Sequence, residues 1–582
     1  MKKLIALLLL LAMVTLVFAS CGKDKESVAT TATEPAATTA DATTAAAGTT
    51  AEETTAVATT VEETTVDPYL EVQEISAANR TFRIQLSAWG DAEKVSKNDK
   101  YVAGPDTITE GMTPMIECMV YERNHEANDR LGTSVSYVYW NDLQWGSQRG
   151  RIDTLVQGND PDAPDLFVDM IYDLGNAALN SDFKDIWSIP GSFFDFEADG
   201  WMNEWMSSLS LTHDRAYVLA GDYFLDVLRA MGVLPFNVTM MDANANTLAP
   251  ALLGEPLSQG EDLSARFFDF VELGNWTWDA LGKLSEAIWL DVDNDGQDSI
   301  ADRLGFLGSG RTNMSSSLYL YSNSEDLFVE DKCKEAGVNY GKDWIYYPES
   351  SGVLGGIFNA IEALFSGKGT MAPDFPNDGA TPENPGLAYH WIKFGQGETL
   401  FAGCCVLGAL EDDAFQQMSD LYSVVPIPKV NVSGSYNTVI HNVGDAGAIN
   451  VNTTPDKARA LSAFLQYCTE NSGEIRQEFL EIVTKYKTTT YNQGTDRMLD
   501  IVYNSVVNGR DKSIEDVMGT DGTCKPLRWH VLLKDGNQYT HDASYLTTKY
   551  ESAISAKQSY LNNRLALWYT LPKVEPEAPA AD

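Results

Sequence analysis

Polar and apolar residues alternate with period two through Thr81-Phe82-Arg83-Ile84-Gln85-Leu86, which predicts a first strand. A small-residue loop, Ser87-Ala88-Trp89-Gly90, follows it. Ala163-Pro164-Asp165-Leu166-Phe167-Val168-Asp169 reads as a short buried strand after a turn. Thr454-Pro455 supplies a cap residue and then proline at the first helical position. Ala458, Leu461, Leu465 and Cys468 then fall on one face of the helix. Thr277 is a second predicted N-cap, with Asp279 at the positive end of the helix dipole and Leu281, Leu284 and Ile288 inward. That helix runs to about Leu290, and Leu304-Gly305-Phe306 starts another strand. Tyr550, Ile554, Leu561, Leu565 and Trp568 line one face of a long terminal helix. Helices alternating with strands predict an α/β fold with largely parallel sheets.

The N-terminus has a different pattern. Met1-Lys2-Lys3 is positive, and Leu4 to Phe18 is an apolar stretch of fifteen residues, shorter than the roughly 20 of a spanning helix. Ala19-Ser20-Cys21 follows and resembles a bacterial lipobox. The resemblance implies that residues 1–20 are a cleaved signal and that Cys21 carries lipid. The plainer reading is an ordinary secretory signal. Residues 29–66 hold fifteen Thr and twelve Ala, with no Lys, Arg or aromatic residue. Such a segment has little to bury against its ordering entropy and reads as an acidic, disordered tether over residues 21–68.

Charge narrows the function classes. Acids outnumber bases 83 to 41 in 582 residues, a net charge of −42. That excludes a phosphate-neutralising surface and argues against nucleic acid as a partner. It also argues against a polybasic grip on anionic lipid. The six cysteines after Cys21 are irregularly spaced without a C-x-x-C, and are read mainly as buried free thiols. His125-Glu126 is not followed by a second His at zincin spacing, and no G-x-S-x-G, Walker or G-x-G-x-x-G motif occurs.

The Asn275-Trp276-Thr277-Trp278-Asp279 helix start, the acidic loop from Asp291 and the Gly305-Phe306 strand together resemble bacterial extracellular solute-binding proteins of the sugar-binding type, the lipoprotein receptors of ABC importers. Gly158 to Leu166, Gly221-Asp222-Tyr223, Val233-Leu234-Pro235-Phe236-Asn237 and Ala446 to Asn450 resemble further segments of that family, in the same order. The resemblance spans roughly residues 80–570. It implies a two-lobed periplasmic-binding-protein-like α/β fold with a hinge and an interlobe cleft. Lobe I would take residues 69–230 and return over 440–510, and lobe II would take 231–439. A helical part over 511–572 would lie at lobe II or the hinge, with a disordered tail at 573–582. Ligand would shift a hinge equilibrium. The closed form would dock on ABC permease subunits at the outer face of the cytoplasmic membrane, with the lipid anchor as the sole membrane contact. The chain would perform no bond chemistry. The alternative is a lipid-anchored extracellular hydrolase acting on carbohydrate.

Sugars need aromatic rings for their C–H faces and polar groups for their hydroxyl rim. The ligand-contact candidates are Trp89, Asp169, Asp222, Tyr223, Trp276, Arg311, His441 and Asn442. For each aromatic the plainer reading is core packing, and for each polar residue a local hydrogen bond. From Asp291 to Asp302, the residues Asp291, Asp293, Asp295, Gln297, Ser299 and Asp302 stand at positions 1, 3, 5, 7, 9 and 12, with Gly296 at 6. That is the spacing of an EF-hand loop, in which position 7 gives its carbonyl. It reads as a structural Ca²⁺ site, with Asp in place of the usual Glu at position 12; the other reading is a metal-free acidic connector.

Overall fold

The computed structural model describes residues 67, 69–87, 99–140, 148–210, 215–309, 322–323, 351–373, 389–403, 405–485 and 492–506. It also describes 534–535, 538–539, 542–549, 552 and 567. The terminal helix expected from Tyr550 lies outside these residues apart from the last two positions, as do the signal, the tether, Cys21, Trp89 and Arg311.

The first sheet is four-stranded. The alternating segment forms β1 (Thr81–Ser87). Helix α1 (Met115–Leu131) leads to β2 (Ser134–Trp140), and α2 (Gln148–Gln157) leads to β3 (Leu166–Met170). A short α3 (Ile171–Ala178) follows at once. Both β2 and β3 flank β1 in parallel, as βαβ units require. The remaining edge is taken by β10 (Asp445–Ile449), antiparallel to β3. The polar positions of β1 divide: Thr81 is exposed and Arg83 half-buried, while Gln85 and Ser87, toward the carboxyl end, are buried.

The second sheet is six-stranded and built from the intervening chain. Strand β4 (Gly232–Asn237) ends in Asn237, whose side chain accepts from Met240 N at 2.7 Å and so caps the next helix. Then come α4 (Leu263–Glu272), α5 (Trp278–Ile288), β5 (Leu304–Leu307), α6 (Ser351–Ser366) and β6 (Thr370–Met371). Strands β7 (Thr399–Ala402), β8 (Cys405–Val406) and β9 (Tyr422–Val425) complete it. Strands β5, β6 and β7 are parallel, while β4 runs antiparallel to β7, β8 and β9. The expectation of largely parallel sheets therefore holds for the first sheet and only for part of the second. As predicted, Thr277 caps α5, its Oγ1 accepting from Ala280 N at 3.3 Å. Gly305 lets β5 lie against α5, since a Cβ there would sit 2.0 Å from Ser285 Cα.

The chain passes between the sheets at few places. Met231 bridges Ile440 antiparallel, with Gly232 N donating to Val439 O and His441 N to Ala230 O, each at 2.9 Å. Thr438 pairs in parallel with Val506. Helix α7 (Pro455–Glu470) buries Ala458, Leu461, Leu465 and Cys468 as predicted, with Pro455 in its first turn. Thr454 does not cap it; its hydroxyl donates to Asn79 Oδ1 at 3.4 Å. Helix α8 (Gly473–Lys485) leads to α9 (Asn492–Asn504). The expected return of residues 440–510 to the first lobe fails for α9, which packs on the second sheet. Thr495 hydrogen-bonds Ser423 at 2.8 Å, and Arg497 pairs with Asp269 and Glu272 of α4. Both sheets belong to one compact unit, Val66–Asp582. Among the described residues, Cys118, Cys405 and Cys468 are free thiols, as expected.

Candidate functional site

Parallel strands β1 and β3 end side by side, and in open α/β sheets ligands settle outside such carboxyl ends. Polar side chains gather there in place of the apolar ones that fill the rest of the sheet. Gln85, Ser87, Asp169, Asp173 and Asp445 are each 1 % exposed or less. Gln85 Nε2 donates to Asp169 Oδ2 at 3.4 Å, and Met170 N donates to Asp169 Oδ1 at 2.8 Å. Ser87 Oγ donates to Asp445 Oδ2 at 3.0 Å. Burial, then the neighbouring charges of Asp445 and Asp173, hold the Asp169 carboxyl well above the ordinary range. Burial raises Asp173 to about 6, against the opposing pull of the Arg149 backbone N–H and guanidinium.

Of the nominated ligand contacts, the fold brings three to this edge. Asp169 stands in it. Asn442 and His441 lie beside it: the Asn442 carbonyl accepts from Tyr172 N at 3.2 Å, and the Gly444 carbonyl accepts from Ile171 N at 3.0 Å. These bonds fasten the start of α3 to the chain that enters β10.

The other described candidates lie elsewhere. Asp222 is 1 % exposed and its carboxylate is engaged: Arg476 Nη1 donates to Oδ2 at 2.6 Å, and Tyr503 Oη to Oδ1 at 3.4 Å. Burial outweighs the Arg476 charge and raises Asp222 to about 7. Tyr223 is fully buried, with the Arg123 guanidinium 4.7 Å from its ring centre and Phe464 edge-on at 5.9 Å. Trp276 is core in the second sheet's body. It stacks on Phe401 at 5.4 Å and donates through Nε1 to Pro426 O at 3.0 Å. Neither ring offers a free face to a sugar, which is the plainer of the two readings given above.

The sequence reading missed Asp173, Asp445, Gln85 and Ser87. Two signals were present. Asp445 enters a strand that is otherwise Ala, Gly and Ile, and Asp173 stands in a helix beside Leu174, Ala177 and Ala178. An acid inside an apolar run is a candidate for burial with it, against the usual exposure of acids.

Two salt-bridged knots flank the chain crossings. Arg229 Nη1 donates to Asp226 Oδ1 at 2.5 Å and Nη2 to Glu411 Oε2 at 2.6 Å. Tyr101 Oη donates to Glu411 Oε1 at 2.6 Å, and Asp445 N donates to Asp226 Oδ2 at 2.8 Å. Glu411 follows β8 in the second sheet, while Tyr101 and Asp226 pack with the first. The Asp222–Arg476–Tyr503 group is the second knot. A cavity of about 300 Å³, lined by Phe196, Asp199, Trp201 and Tyr503 among others, lies close by. A polar cavity of about 350 Å³ lies in the second body, walled by Asn323, Lys429, Asn431 and Ser433 among others.

In the acidic loop, Asp291, Asp293 and Asp302 bring one carboxylate oxygen each within 4.8 Å of one another. The Asp295 carboxylate is not in that group. Gly296 turns at φ +75°, the conformation its position was expected to need. Asp302 is buried and accepts from Val292 N at 2.8 Å and Ser299 N at 2.7 Å, while Lys368 Nζ donates to the Gly296 carbonyl at 2.6 Å.

No protein-family model matches the chain, and no curated protein matches it. Solved structures do. The ABC transporter associated binding protein from B. animalis subsp. lactis Bl-04, in complex with β-1,6-galactobiose, covers 83% of this chain and 98% of its own at 13% identity and a TM-score of 0.46. The galacto-N-biose-/lacto-N-biose I-binding protein of the ABC transporter from Bifidobacterium longum, with lacto-N-biose, covers 83% and 97% at 13% identity and a TM-score of 0.42. The GacH receptor of Streptomyces glaucescens, solved with acarbose, covers 82% and 98% at 13% identity and a TM-score of 0.40. Likeness of this depth identifies neither ligand nor partner for this chain. No helix among the described residues is long and apolar enough to cross a membrane.

Proposed function

We propose that this chain is an extracellular solute-binding lipoprotein that captures a carbohydrate, an oligosaccharide by its size, and hands it to ABC permease subunits. The observation that carries the reading is the route of the chain. It builds one α/β sheet, leaves to build a second, returns to add β10 to the first, and then places α9 back on the second, with paired crossing segments at Met231 and Ile440 and at Thr438 and Val506. Two bodies joined this way can hinge about their crossings, and ligand contacts from both favour the closed state. The buried polar edge of β1, β3 and β10 is the first body's contribution to the binding site. The structural neighbours hold galactobiose, lacto-N-biose and acarbose, and this reading gives the chain a ligand of that class.

Lipid on Cys21 would hold the protein at the outer face of the membrane, with the Thr- and Ala-rich tether giving it reach. Capture needs no general base and no nucleophile, so no bond is made or broken. The 291–302 loop would hold a structural Ca²⁺ through Asp291, Asp293 and Asp302, with Asp295, Ser299 and the Gln297 carbonyl as further oxygens. The ion would add rigidity between α5 and β5, away from the ligand.

A melting-temperature screen of oligosaccharides, coupled to product analysis, tests the proposal, because a ligand of the native state alone raises its melting point. Capture predicts a shift with the saccharide recovered intact. Recovery of cleaved saccharide would move the chain to the hydrolase reading.

A further inference from the structure

A third cavity, of about 260 Å³, lies in the first body at the end of the sheet opposite the candidate site. The candidate site stands where β3 stops, at Asp169 and Met170; this cavity stands where β3 starts. Lys184 N donates to Ile449 O at 2.8 Å, Phe183 bridges Asn450, and Ile449 pairs with Leu166, the first residue of β3. Phe183, Ile189, Val451, Pro455 and Ala458 give the cavity apolar walls, the last two from the start of α7.

Lys184 lines it as well. Its half-buried side chain donates through Nζ to Val451 O at 2.9 Å, another residue of the wall. An ammonium carries three N–H donors, so this bond leaves two. Among the described residues no carboxylate pairs with it, and burial holds its pKa below the ordinary lysine value. The nearby acids are engaged. Asp185 also lines the cavity, but its Oδ1 accepts from Trp187 N at 3.2 Å and Ala216 N at 3.0 Å. Asp182 accepts from Gln157 Nε2 at 2.6 Å. Apolar walls therefore meet a cation with donors to spare. A saccharide fits such walls badly, because its hydroxyls would lose water without gaining partners. An apolar chain sheds water favourably against them, and an anionic head takes the free N–H groups in charge-assisted hydrogen bonds.

We propose that this cavity is a second ligand site, one for a medium-chain monocarboxylate whose head meets Lys184 and whose chain lies along Phe183, Ile189, Val451 and Pro455. It is separate from solute capture, which the opposite end of the sheet serves.

Calorimetric titration of the full chain with octanoate, octanol and octylamine, each below its micellar concentration, tests it. Octanoate is expected to bind at least about tenfold tighter than the alcohol, with the amine weakest. Hexanoate has two methylenes fewer and should bind up to about fifteenfold more weakly than octanoate. Lys184→Met should abolish the preference for octanoate over octanol while leaving the alcohol's affinity within about threefold. Should that variant not fold, the wild-type ranking and the dependence on chain length still decide. Equal affinity for carboxylate and alcohol, tightest binding of the amine, or a preference that survives Lys184→Met overturns the site. Absence of octanoate binding at millimolar concentration overturns it too. None of these outcomes bears on the oligosaccharide screen.

Discussion

The two sheets end differently. Where β1 and β3 stop, the first sheet gathers aspartates, a glutamine and a serine out of water. The core of the second body is filled by rings: Phe236, Phe267, Trp276 and Phe401, with centres 4.9–6.2 Å apart in the contacting pairs. Aromatic packing of that kind stabilises a body and leaves nothing for a ligand. Buried acids do the reverse, since desolvation and mutual repulsion make the edge costly until something compensates them. One body therefore carries buried acids at a cost to its own stability, and the other is held by packed rings.

The contrast can be broken by mutation. Trp276→Ala should cost about 3–5 kcal/mol in urea unfolding, because it empties a packed aromatic site, and it should leave ligand affinity unchanged in the folded fraction. A loss of affinity without a loss of stability would return Trp276 to the binding surface. Asp173→Asn should do the opposite to stability, raising it by about 1–3 kcal/mol at pH 7.5, where a buried carboxyl with a raised pKa has been forced to ionise. The gain should shrink as pH falls toward 5. Destabilisation by this substitution would mean that the carboxylate is a structural partner.

The same acids set a pH dependence that sharpens the comparison. Asp173 is raised to about 6 and Asp222 to about 7, both chiefly by burial. Between their ordinary value near 3.8 and these raised values, the native state holds more protons than the unfolded chain. Stability contributed by these groups therefore falls as pH rises through that window and levels off above about 7. Melting should occur at higher temperature at pH 5 than at pH 8, and the paired Asp173→Asn, Asp222→Asn variant should flatten the curve. The smallest effect belongs to the acidic loop: millimolar Ca²⁺ should raise the melting temperature by a degree or two and EDTA should reverse it. Asp291→Asn should remove the response. A melting point indifferent to both would leave the loop a metal-free connector.

Local signals carried the sequence reading well. Period-two alternation located β1, the Thr277 cap and the Thr454-Pro455 start located α5 and α7, and Gly296 fell at its turn, because each depends on neighbours in the chain. What failed depends on residues far apart. Asp222 looked like a ligand contact until Arg476, 254 positions later, was found on its carboxylate. Tyr223 and Trp276 are exposed or buried according to Phe464 and Phe401, which no spacing announces. Asp173 and Asp445 come near each other only because β10 returns across the 274 positions between Met170 and Asp445 to pair with β3.

Small-angle scattering tests the central claim most directly. The full chain is measured alone and then with the saccharide that gives the largest melting shift, at saturation, with the saccharide recovered afterwards. Capture by hinged bodies predicts a smaller radius of gyration in the complex and an unaltered saccharide. An unchanged radius, or a cleaved saccharide, would contradict it.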